Sequence, residues 1–173
     1  MAGLKNSGKT TVCTAIIADL TARGYGVAAL KSSHVARLTL DHSATDSYAL
    51  AESGASFVLV QSREESLILE RSTRTFEEMI RRVPEKVQFI ICEGGKAEAA
   101  DAAVVCLTDT SKWDETLQVR RVPKRKILGL AGPFAGPGSS CGESFDGFPV
   151  FDVRDAGCRK SLVELILKRG ETL

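Results

Sequence analysis

Long apolar runs are missing from this chain of 173 residues. No stretch approaches the roughly 18 continuous apolar residues of a membrane span. A surplus of one charge is missing as well, with 23 Lys and Arg against 22 Asp and Glu. Neither nucleic acid nor an anionic membrane is therefore expected as the main partner. Five cysteines stand singly at Cys13, Cys92, Cys106, Cys141 and Cys158. None shares a C-x-x-C spacing, which argues against a zinc site and against a disulfide framework. The first residues lack the basic region and apolar segment of a signal peptide, so a reducing, cytoplasmic setting is expected. His34 and His42 are the only histidines, and one alone is more readily a surface or hydrogen-bonded side chain than a metal ligand.

What is present is an ordinary globular composition, 43% hydrophobic and 26% charged, in a length that suits one domain over residues 1–173. Val12, Ile16, Ile17 and Leu20 recur at helical spacing, predicting a helix over 9–23 that stops at Gly24. The run 26–31 reads as a buried strand and 45–53 as a short helix capped at Thr45 or Asp46. Two apolar runs, 57–61 and 67–70, flank a polar turn and predict a hairpin. Phe76, Met79, Ile80 and Val83 keep helical spacing up to Pro84. The β-branched run 87–92 is a strand covered on both faces. Further strands are expected at 103–107, 127–131 and 150–153, with a closing helix over 159–169. The Gly-, Pro- and Ser-rich stretch 132–149 reads as a long exposed loop. Strands alternating with helices give an α/β fold of three layers around a mostly parallel sheet.

Gly3-Leu4-Lys5-Asn6-Ser7-Gly8-Lys9-Thr10 matches G-x-x-x-x-G-K-[ST] in full, and Thr11 follows it into the helix. Gly3 and Gly8 permit the backbone angles that turn successive amides inward as a nest for phosphate oxygens. The helix N-terminus adds a favourable dipole. Lys9 would face the β- and γ-phosphates, and the Thr10 hydroxyl would bind Mg²⁺. This makes the chain a P-loop NTPase by motif. Only Met1 and Ala2 precede Gly3, so the central strand that normally leads into such a loop is absent from the sequence, and its neighbours are expected to carry unpaired backbone groups.

Strand 87–92 runs into Glu93-Gly94-Gly95-Lys96. A carboxylate at the end of a parallel strand lies beside the phosphate loop, where Glu93 would hold Mg²⁺ or orient water. Lys31 ends another strand on the same edge. Asp41 is a candidate for Mg²⁺, and Asp46 for the nucleotide or an incoming substrate. Ser111-Lys112-Trp113-Asp114 is a loose version of the guanine-reading [NT]-K-x-D, but a helix start capped by Ser111 explains it more simply.

GLKNSGKTT at 3–11, VAALK at 27–31, Asp41 to Ser47, SGA at 53–55, CEGGK at 92–96 and FPVFDVRD at 148–155 together resemble the molybdopterin-guanine dinucleotide biosynthesis protein B family. The resemblance spans nearly the whole chain and is strongest over 3–96. It implies a homodimeric GTP-binding protein that works with molybdopterin biosynthesis proteins while a nucleotide is attached to molybdopterin. On this expectation GTP with Mg²⁺ is bound by Gly3, Lys5, Asn6, Ser7, Gly8, Lys9, Thr10, Thr11, Lys31 and Asp46. Thr10, Glu93 and Asp41 attend the metal, and Lys9 and Glu93 support a slow hydrolysis. A small-molecule kinase or ligase, or a nucleotide-dependent adaptor without appreciable hydrolysis, would use the same loop. The chain departs from the family's pattern at Ser32-Ser33, where the family has histidine, at Ala44-Thr45, and at Gly95, where it has an aromatic.

Overall fold

The computed structural model describes residues 1–33, 35, 45–95, 100–132 and 143–171. Its elements run α1 (Lys9–Ala22), β1 (Val27–Lys31), α2 (Asp46–Glu52), β2 (Phe57–Gln61), β3 (Ser66–Glu70), α3 (Phe76–Ile80), β4 (Phe89–Glu93), β5 (Ala103–Cys106), α4 (Trp113–Arg120), β6 (Ile127–Ala131), β7 (Ser144–Phe145), β8 (Phe148–Phe151) and α5 (Ala156–Gly170). They fall into two compact units, one built from Met1–Ser33 with Val83–Leu173, the other from His34–Arg82.

The larger unit is an α/β sandwich. β1 pairs in parallel with β4, and β5, β6 and β8 are parallel, with the two-residue β7 antiparallel on the edge. Met1 and Ala2 lie between β4 and β5 and stitch the two groups together. Ala2 N–H donates to the Val104 carbonyl at 3.0 Å, and Cys106 N–H donates to the Ala2 carbonyl at 2.7 Å. On the other side Gly94 N–H donates to the Met1 carbonyl at 3.2 Å, and the Met1 ammonium donates to the Cys92 carbonyl. Four of the backbone groups that face this gap find partners in Met1 and Ala2, while β1–β4 and β5–β6–β8–β7 stay separate ladders.

Strand alternation sorts the core into two layers. Val104 and Cys106 of β5 face the layer that holds Val12, Ile16 and Leu20 of α1 and Leu162 and Val163 of α5. Ala103 and Val105 face the opposite layer, with Trp113, Val122, Ile127 and Leu130. Helices therefore cover both faces, as the near-continuous apolar strands require. No helix among the described residues is long and apolar enough to cross a membrane.

The expected elements recur with shifted ends. The last strand of the core covers 148–151 instead of 150–153, because Pro149 and Val150 pair outward with β7 and inward with β6. Consequently the stretch 132–149 is not all loop: Ser144 and Phe145 form a hairpin with β8 through a turn with Asp146 and Gly147 at positive φ. The closing helix begins three residues earlier than its apolar spacing indicated, because the Asp155 carboxylate caps it by accepting from Cys158 N–H at 2.7 Å.

The smaller unit is a helix packed on a hairpin, with a second short helix after it. Thr45 caps α2 by accepting from Tyr48 N–H at 3.3 Å. β2 and β3 pair antiparallel with Val58 opposite Leu69 and Leu59 opposite Ile68. Ala51 and Val58 are buried here. Phe57, Leu59 and Ile68, on the other face of the pleat, are 47%, 68% and 56% exposed. Thr75 and Glu78 close a reciprocal capping box at the start of α3.

Candidate functional site

Gly3 leaves the sheet at Ala2 and begins a tight loop that ends in α1. Its missing side chain is required by space: a Cβ there would meet Ser7 Oγ at 2.2 Å and the Cys106 carbonyl at 2.6 Å. Asn6 and Gly8 take left-handed backbone angles, with φ of 62° and 77°. Left-handed residues set between right-handed ones are the backbone pattern from which anion nests are built. Gly8 stands at the N-cap of α1 and offers no side-chain bond to it, so the first-turn N–H groups of Lys9, Thr10 and Thr11 are left for another acceptor. An anion at this helix end gains from both the open donors and the dipole.

Ser7 sharpens the picture. It is 4% exposed, and its Oγ has no hydrogen-bond partner among the described residues. A buried hydroxyl left unsatisfied costs about 1–3 kcal/mol, a cost that an incoming acceptor or donor at the loop would remove. Lys5 and Asn6 of the loop and Thr10 and Thr11 of the first helical turn are exposed.

Lys9 folds back over the loop, its Nζ donating to the Leu4 carbonyl at 2.5 Å. Burial, and after it the neighbouring Arg120 guanidinium, push this ammonium below its ordinary value of 10.5. Arg120, the last residue of α4, donates from Nε to the Gly3 carbonyl at 2.8 Å. No motif or spacing in the sequence singles it out.

Thr10 faces Glu93 across the sheet edge, its hydroxyl 3.0 Å from both carboxylate oxygens. Lys31, directly opposite Glu93 in the parallel register of β1 and β4, places its ammonium 3.3 Å from Oε1. Glu93 is the sheltered member of that pair, its side chain 16% exposed against 64% for Lys31. Gly94 and Gly95 follow with φ of 81° and 72°. This double reversal lets the chain turn sharply after Glu93, where a Cβ on Gly94 would lie 3.3 Å from the Ser32 carbonyl.

The structure therefore brings together Gly3, Lys5, Asn6, Ser7, Gly8, Lys9, Thr10, Thr11, Lys31 and Glu93. Asp46 opens α2 as an exposed first-turn residue of the smaller unit. Asp41, His34, His42 and Lys96 lie outside the described residues. The Ser111 cap is corrected: Asp109 is the capping residue, its carboxylate accepting from Ser111 N–H at 2.8 Å. Trp113 is 5% exposed and packs against Phe145 and Phe148, with its indole N–H donated to Asp146 at 3.0 Å. Burial raises the thiols of Cys13, Cys92 and Cys106, the last to about 12, which keeps them protonated and unreactive.

The family model of molybdopterin guanine dinucleotide synthesis protein B matches residues 1–123. Similar solved structures include MobB of Bacillus subtilis, at 18% identity over 98% of each chain with a TM-score of 0.67. A molybdopterin-guanine biosynthesis protein B aligns at 22% identity over 98% of this chain and 96% of its own, also with a TM-score of 0.67. A MobB homologue from Bacillus stearothermophilus covers 99% of this chain and 95% of its own at 18% identity, with a TM-score of 0.63. These likenesses are of fold. No curated protein matches the sequence.

Proposed function

Because the chain belongs to the molybdopterin guanine dinucleotide synthesis protein B family, we propose that it binds GTP with Mg²⁺ at the Gly3–Thr10 loop and hydrolyses it slowly. On this reading it assists the step that joins a nucleotide to molybdopterin. The observation that carries it is the convergence, on one loop, of open first-turn amides, a buried Ser7 hydroxyl without a partner among the described residues, and a lysine that bonds a carbonyl of its own loop.

These features fit a triphosphate. Gly3 and Gly8 keep side chains out of the nest, and Lys9 exchanges the Leu4 carbonyl for phosphate oxygen. Thr10 and Glu93 supply a hydroxyl and a carboxylate at one place, the hard oxygen donors that Mg²⁺ takes. When bound, the metal spreads the charge that builds on the transferred phosphoryl group. Glu93 is positioned to accept a proton from water or to hold a water of the metal shell. Lys31 pairs with the Glu93 carboxylate and keeps it beside the loop. Asp41 remains a candidate metal ligand and Asp46 a candidate nucleotide contact.

The preference for guanine comes with the family. Lys112 bonds Glu115 at 3.0 Å and Trp113 is in the core, so the loose K-x-D spelling lends the base assignment little support. A homodimer, with molybdopterin biosynthesis proteins as partners, completes the reading. The apolar hairpin face of Phe57, Leu59 and Ile68 is the surface we assign to the second copy.

The test is calorimetric titration of the chain and of Lys9→Ala with GTP and ATP, with and without Mg²⁺. Micromolar GTP binding that disappears in Lys9→Ala is the expected result. Equal affinity in the two proteins would sink the assignment, and tighter binding of ATP would move it to a kinase or ligase.

A further inference from the structure

Two cations flank the Gly3–Thr10 loop, and only one of them belongs to the phosphate-binding pattern. Lys9 donates to the Leu4 carbonyl and Arg120 to the Gly3 carbonyl, so each rests on a backbone oxygen of the loop itself. Among the described residues no carboxylate forms an ion pair with either. Partly buried like charges disfavour each other; Glu93 acts on Lys9 through space but pairs with neither cation, and a polyanion would resolve the repulsion that remains. Arginine is suited to this place because its planar fork can spend Nε on a carbonyl and keep its delocalised charge and its terminal N–H groups.

The bond falls at a chosen point. Gly3 is the hinge between Ala2, which is fixed to β5 on both its N–H and its carbonyl, and the curled segment beyond. Its neighbours Ser7 and Cys106 leave no room there for a side chain. Holding its carbonyl from the α4 side fixes the direction in which the loop departs.

We propose that Arg120 is a positioning residue for the phosphate loop: through Nε and the Gly3 carbonyl it sets the loop's first turn, and its charge, beside that of Lys9, makes the site select for a polyphosphate. This rests on the nucleotide reading above. Arg120→Gln keeps an amide donor for the carbonyl and removes the charge. Arg120→Lys keeps the charge and loses the planar Nε donor.

The experiment titrates wild type, both variants and Lys9→Ala with GTP, GDP and GMP at two salt concentrations, and melts each protein without nucleotide. Arg120→Gln should bind GTP about tenfold more weakly, the scale of one charge-assisted contact. Its loss for GMP should be smaller, its salt dependence shallower, and Arg120→Lys should recover part of the affinity for GTP. GTP affinity in Arg120→Gln within twofold of wild type, alongside lost binding in Lys9→Ala, overturns the proposal and leaves the nucleotide reading standing. A nucleotide-free melting point lowered by more than about 5 °C also overturns it, by making Arg120 a residue of the fold. Absence of GTP binding in the wild type would instead remove the reading on which the proposal stands.

Discussion

The hydroxyl of Thr10 lies 3.0 Å from each carboxylate oxygen of Glu93, a pair separated by 83 positions in the chain. One residue sits in the first turn of α1 and the other ends β4, so the contact exists only because the sheet edge and the loop are in register. Glu93→Gln keeps the shape and removes the charge. We expect it to retain GTP in the presence of a metal chelator and to lower Mg²⁺-dependent phosphate release by about a hundredfold. Phosphate release assayed over a Mg²⁺ titration checks this. An unaltered Mg²⁺ dependence would remove Glu93 from the metal site.

Gly3→Ala tests the space around the loop. The added Cβ meets the Cys106 carbonyl, which is backbone of a strand held by its N–H to Ala2, so the chain must move. Overpacking of this kind costs about 1–3 kcal/mol. Urea unfolding should show a lower midpoint with little change in slope, and nucleotide binding should weaken with it. A midpoint identical to wild type would mean that the close packing at Gly3 is absent in solution.

Much of this site is legible in the sequence because its chemistry is carried by spacing. The loop needs glycine at two fixed places and Lys-Thr after the second, and helix periodicity from Val12 to Leu20 confirms where it points. Glu93 could be read because an apolar run of strand length ends on it. Arg120 could not. The contact it makes is with a backbone carbonyl, which any residue possesses, and α4 has too few apolar positions to announce itself. Its anchors are Trp113, Leu117 and the buried Thr116. Asp109 and Ser111 are both good caps, and only backbone angles decide between them. The role of Met1 and Ala2 was hidden for the opposite reason: two residues are too few to show any period.

Glu70 supplies a pH test of the smaller unit. Hydrogen bonding to Arg74 is the main reason its carboxyl is lowered to about 2, with Ser72 and Arg82 adding to it. A folded-state value below the ordinary 4.5 means that the folded unit favours the ionised form. Its stabilising effect is therefore present above 4.5 and is lost as pH falls toward about 2. Carboxyl carbon shifts followed by NMR should place the midpoint of Glu70 near the bottom of that window. In Arg74→Gln the midpoint should rise toward 4.5, and a midpoint that stays put would show that Arg74 is not its partner in solution.

Leu59→Asp addresses the hairpin face. Leu59 is directly opposite Ile68, and both are exposed, so a charge there should cost the single chain little. Sedimentation equilibrium should find the wild type as a dimer and the variant shifted to monomer by at least tenfold in dissociation constant. A variant that associates as the wild type does would move the contact elsewhere.

The stitch made by Met1 and Ala2 has a mechanical meaning. β1 and β4 share five paired positions, whereas the junction between β4 and β5 rests on four hydrogen bonds, all at the end of the sheet from which the loop departs. α1 leans on β4 while α5 leans on β6 and β8, and the two helices touch, so they brace that seam from one face. A guest that grips the Gly3–Thr10 loop, which continues directly from Ala2, together with Glu93 would tie the stitch to the end of β4, acting as a splint where lateral cohesion is thinnest. Slowed amide exchange at Ala2, Gly94 and Cys106, whose N–H groups make the stitch, more than at the strand centres, would be its trace.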